Sequence, residues 1–150
     1  MPWSRRWTDD SGSASLEFIT TGLLLLVPLV YLVLTVSAVQ GASLAVEGAA
    51  RQASRVFVQA ESLAEARAAA ARAIEVTLAD YGLDAGDATV TIDCRPHPSA
   101  CLTRQGFVTV TVQTTVPLPL VPPVLDIDVP AGVPITALST EQVSRFAGAR

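Results

Sequence analysis

The stretch GSASLEFITTGLLLLVPLVYLVLTVSAVQ, residues 12–40, decides how the rest of the chain is read. From Phe18 to Val39 it runs 22 residues without a charge. About 20 apolar residues carry a helix across a hydrocarbon core of about 30 Å, so the segment is long enough to span a membrane. The charge-free stretch continues to Val46, after which Glu47 to Asp80 carries Glu or Arg at nearly every helical turn. The first part reads as membrane and the second as water. Pro28 lies inside the span, where a missing backbone donor is expected to bend or soften the helix. A cleaved secretory signal is the competing reading, because Ser37-Ala38-Val39 supplies small residues of the signal-peptidase type. Its apolar core is normally about 7–15 residues, shorter than the one here.

Working outward to the N-terminal side, Arg5 and Arg6 precede the span, whereas Glu47 and Arg51 follow it with one charge of each sign. The arginine bias places the N-terminus in the cytoplasm and the C-terminal two-thirds outside. Trp3 and Trp7 then fall at the cytoplasmic headgroup level, where amphipathic rings accumulate. Glu17 sits directly against the apolar run. A carboxylate at the edge of hydrocarbon is a functional candidate, since charged residues at a helix centre cost about 2.5–3.5 kcal/mol and less near an end. A capping box would need Ser or Thr three residues earlier, and that position is Ala14. A first-turn glutamate favoured by the helix dipole is the plainer alternative.

Gly12 and Glu17 in front of a long apolar helix resemble the type IV prepilin pattern: a short polar leader, a glycine cut site, glutamate fifth after it, then membrane. Phe18 after the glutamate, the small residues between, and the leucine-rich stretch interrupted by Pro28 look like the TadE/TadG-like pseudopilins of tight-adherence (Flp) pilus systems. The resemblance covers about Gly12 to Ala60. It implies cutting by a prepilin peptidase between Gly12 and Ser13, and a role in assembly for Glu17 and Phe18, with Glu17 facing the terminal amine of a neighbouring subunit. It implies other pilin subunits, an assembly platform and the membrane as partners. The implied fold is α+β and type IV pilin-like, a long N-terminal helix packed on a small antiparallel sheet. Asp9-Asp10-Ser11 departs from the basic residue that pilin leaders often carry before the cut. More than a hundred residues after the span, longer than in the short major Flp pilins, favour a minor or priming subunit.

The whole chain, 150 residues, has room for one modest folded unit. We divide it into a leader (1–12), a transmembrane helix (13–40), an extracytoplasmic helix continuing it (41–82) and a β region (83–150). In the second helix Ala53, Val56, Ala60, Leu63, Ala71, Ile74, Leu78 and Tyr81 fall on one stripe at steps of three and four, with Arg67 the exception. The helix is expected to end near Gly82, a residue suited to a left-handed cap. Together the two helical parts predict a nearly continuous rod of about 70 residues, about 100 Å long, with Pro28, Gly41 and Gly48 as places to bend; a membrane helix followed by a separate soluble helix predicts similar burial.

Beyond Gly82, Ala88 to Asp93 and Phe107 to Val116 alternate with period two and are rich in β-branched residues, as in an antiparallel hairpin. Val108, Val110, Val112, Thr114 and Val116 share the face expected to pack on the helix. Pro117, Pro119, Pro122 and Pro123 break pairing, so Leu118 to Val133 reads as an extended segment. Ile135 to Val143 is a candidate edge strand, although Ser139-Thr140-Glu141-Gln142 equally suits a helix start. Cys94 and Cys101 lie across the hairpin tip. In an exported region such a pair forms a short-loop disulfide, whereas in a cytosolic loop it stays reduced.

The residue inventory points away from catalysis and nucleic acid. The ten basic residues are all arginine, scattered without a run to follow a phosphate backbone, and the net charge is −4. No phosphate loop, HExxH, GxSxG or clustered ligand set is present. His97 alone leaves a zinc set incomplete. Asp126 and Asp128 fall short of the six to eight oxygens calcium takes. We therefore expect no enzyme activity, cofactor or metal, and a single-pass membrane protein of the cell envelope. The alternative to a pilin is an uncleaved, signal-anchored binding module.

Overall fold

The computed structural model describes residues 13–119 and 132–147. Helix α1, Ser13–Gln59, leads into α2, Leu63–Ala79, then a one-turn 3-10 segment, Ala85–Asp87, and strands β1 (Thr89–Arg95), β2 (Phe107–Pro117) and β3 (Gly132–Gln142). The strands form one antiparallel sheet in the order β1-β2-β3. This is the expected α+β layout at its coarsest: a long apolar N-terminal helix and a small antiparallel sheet.

The expectation of one rod reaching Gly82 is corrected. Helix α1 passes uninterrupted through Pro28, Gly41 and Gly48 but stops at Gln59, and the chain turns back. Local chemistry makes the turn. The Ser62 hydroxyl accepts the Glu65 backbone N–H at 3.2 Å, and the Glu65 carboxylate accepts the Glu61 backbone N–H at 3.2 Å. A serine three residues ahead of a glutamate satisfies donors at a helix start and so begins α2 independently of α1. Gly48 and Thr77 then face each other, as do Gly41 and Tyr81, so α2 runs antiparallel along α1 toward its apolar half.

The stripe is corrected with it, because a reversal resets the helical phase. Ala53, Ile74 and Leu78 are buried as expected, Val56, Ala60 and Leu63 are half-buried, but Ala71 and Tyr81 are exposed. The buried line on α2 is Ala66, Ala70, Ile74 and Leu78, passing to one side of Arg67. It joins Ala45, Val46, Ala49, Ala50, Ala53 and Phe57 of α1 in one buried apolar cluster. Alanine on both sides lets the helices approach closely, and at Gly48 an added Cβ would stand 3.4 Å from the Thr77 methyl. At the end of α2, Gly82 has φ +71°. There its N–H donates to the Ala79 carbonyl at 2.9 Å and that of Leu83 to Leu78 at 3.0 Å. This paired closure needs a left-handed residue, which glycine supplies without strain.

The sheet lies on the other side of α1. Val108, Val110, Val112, Thr114 and Val116 all turn inward and are buried, as the alternation predicted. Strand β3 begins earlier than expected, at Gly132, and includes Pro134. An edge strand tolerates proline because one side of its backbone has no partner strand. The Ser139 to Gln142 run is strand, not helix, held to β2 from Phe107 to Thr109 and Val110. Outside, the Thr109 and Thr140 hydroxyls meet at 2.8 Å across the strands. Most of the segment from Leu118 to Val133, including Asp126 and Asp128, lies outside the described residues.

Candidate membrane and assembly surface

Helix α1 has two halves with different environments. From Ala14 to Val30 every residue is exposed, and burial begins in earnest only at Ala42. The exposed half holds Leu23 to Val27, Leu29 and Val30, and Leu32 to Leu34, an unbroken apolar coat around the helix. A helix apolar on all sides is stable only when something apolar surrounds it. Its most apolar window has a mean hydropathy of 2.5 and none of it is covered by the rest of the protein. Among the described residues α1 is the one helix long and apolar enough to cross a membrane. At 1.5 Å per residue, the stretch from Ala14 to Gln40 is about 40 Å long, more than a hydrocarbon core requires.

Glu17 stands on the first turns of this half, exposed, with Leu16 and Phe18 beside it. Phe18 is 79% exposed, the most of any large apolar residue described. Among the described residues no cation pairs with Glu17; the one ion pair there joins Arg51 to Glu47, four residues apart on α1. Ser13 is the first residue of α1. Gly12 lies outside the described residues, as do Arg5, Arg6, Trp3 and Trp7.

The opposite end of the body is closed by covalent chemistry. Cys94 and Cys101 are bonded, with Cα atoms 5.0 Å apart. Cys94 is buried at the end of β1, and Cys101 lies in the β1–β2 connection. The loop between them carries His97, exposed to solvent. Among the described residues no three of His, Cys, Asp and Glu come close enough to hold a metal ion. This end sits beside the turn between the helices: Leu102, Thr103 and Arg104 line a cleft with Val58 to Glu61 and with Ser144 and Phe146. Ser62 and Glu65 carry the spacing of a helix-start signal, masked by the apolar steps that run across it, whereas Arg145 and Phe146 belong to no periodic pattern in the sequence.

The arrangement is therefore axial. An apolar rod with one carboxylate near its tip rises into a body whose disulfide-bonded end is farthest from that carboxylate. No protein-family model, curated protein or solved structure matches the chain.

Proposed function

We propose that the chain is a pilin-like subunit of the cell envelope, a minor or priming component of a tight-adherence (Flp) type pilus. In this reading the exposed half of α1 spans the membrane with its N-terminus cytoplasmic, and a prepilin peptidase cuts after Gly12. The same half later packs against the helices of neighbouring subunits and the assembly platform. One observation carries the reading: an apolar helix uncovered on all sides, with the single carboxylate of Glu17 five residues after Gly12.

The physical logic is that of a buried pair used for register. Two opposite charges in a low-dielectric bundle attract strongly, yet either one left alone is costly, so the pair penalises every wrong stagger. The amine released on Ser13 by cutting is the natural partner for Glu17 of a neighbour. The exported body, tied to the same helix by an alanine seam and the inner face of the sheet, is carried with it.

The experiment is the N-terminal residue of the protein isolated from its native membrane. Ser13 is expected. Met1 or Pro2 would favour an uncleaved, anchored binding module, and a start near residue 40 an ordinary secretory signal.

A further inference from the structure

Two unmatched surfaces lie at different heights on the folded body. The first is a groove of about 980 Å³ between α2 and β1, floored by Ala70, Ile74, Leu83, Val90 and Ile92. It exists because α1 covers β2 and β3 while α2 packs on α1, so that α2 and β1 flank a gap neither fills. Val90 is left 41% exposed as a result. Glu75 and Asp84 stand on the rim, with Arg67 toward the far end. From Ala73 to Cys94 the chain carries Glu75, Asp80, Asp84, Asp87 and Asp93 and no basic residue.

The second surface is a knob after β3. Phe146 is 67% exposed, and the Arg145 guanidinium lies 4.7 Å from its ring centroid. Arg104 fastens the knob to the β1–β2 connection, its Nε donating to the Ala147 carbonyl at 2.8 Å. Glu61 lines the same cleft, so the positive character is local to the arginine pair.

We infer that the Arg145–Phe146 knob of one copy seats in the α2–β1 groove of the next copy. The ring fills the apolar floor, and the arginines meet the acidic rim. An aromatic anchor flanked by arginine in a pocket is the composition that dominates binding energy at interfaces. The inference rests on the filament reading and adds the contact between exported bodies. Knob and groove are different patches at different heights, so the contact is heterologous and repeats along an axis instead of closing. Because α2 runs back along α1, the groove lies about ten residues of α1 below the knob, an offset on the order of 15 Å at 1.5 Å per residue. Two copies at equal depth in a bilayer cannot make this contact. It forms only when one copy rises past its neighbour.

The test uses the full chain in its native envelope, reading filaments sheared from the cell against protein left in the membrane. Phe146→Ala and Arg145→Glu are each expected to lower the sheared fraction by about tenfold or more, the size of a hot-spot loss. Arg145→Glu combined with Glu75→Arg is expected to recover it, and an intact Cys94–Cys101 bond on a non-reducing gel reports folding of each variant. A benzophenone side chain at position 146, in a mixture of differently tagged copies, is expected to cross-link to an α2 or β1 peptide of a second copy. Filaments that form normally with Phe146→Ala, or cross-links mapping elsewhere, overturn this contact and leave the filament reading standing. A parent protein that forms no filaments overturns both.

Discussion

The hydroxyls of Ser54, on α1, and Ser139, on β3, are hydrogen-bonded to each other across 2.9 Å and 85 residues of sequence. Ser54 is fully buried and also contacts the Arg51 carbonyl at 3.0 Å. The pair is a polar link inside an apolar seam, and it fixes the height of the sheet on the helix that bears the apolar rod. Ser54→Ala leaves the Ser139 hydroxyl without this partner and is expected to cost about 1–2 kcal/mol. Urea unfolding followed by the near-ultraviolet signal of the body measures it, and an unchanged midpoint would remove the link from the account.

The reversal between α1 and α2 depends on Ser62. Ser62→Ala removes the acceptor for the Glu65 N–H and should lower stability by about 1 kcal/mol, whereas Ser62→Asp should retain it. Comparing the two in the same denaturation experiment separates loss of the cap from a general effect of substitution.

Gly48 tests the closeness of the helices. Alanine there meets only the Thr77 methyl at about van der Waals distance and removes a helix-interior glycine, so Gly48→Ala should be neutral or stabilising by up to about 1 kcal/mol. Gly48→Leu should force the helices apart and cost about 1–3 kcal/mol. Thermal unfolding that ranks leucine equal to alanine would contradict the packing described.

The disulfide closes a loop of sequence separation 7. Restricting so short a loop in the unfolded chain contributes about 2–3 kcal/mol. Replacing Cys94 and Cys101 together by serine should lower the body's stability by that amount, and adding reductant to the parent protein should reproduce the loss.

Glu17→Gln keeps the size of the side chain and removes its charge. Membrane extraction should be unaffected, because a neutral residue enters hydrocarbon more readily, while recovery in sheared filaments should fall sharply. Equal filament yield from the variant would refute the assembly role proposed for this carboxylate.

Much of the fold was legible because it follows from near neighbours in the chain. Alternating valines from Val108 to Val116 can bury one face in only one phase, and the sheet uses that phase. Gly82 marked the end of the second helix, and the spacing of Cys94 and Cys101 suited a bridge. The turn at Ala60 to Ser62 was written in the serine and glutamate around it. It was hidden by apolar steps of three and four that continue across the break.

By itself, then, the sequence determined the uncharged helix, the carboxylate at its edge, the two-residue alternation of the strands and the cysteine pair. Each is a matter of hydropathy or period along a continuous segment. Tertiary structure decided where the helix folds back, which alanines are buried, the gap between α2 and β1, and the placing of Phe146 beside Arg104 and Arg145. Alanine is the reason for much of this division: it suits a helix equally well exposed or buried, so its side of the helix is chosen by the partner that approaches it.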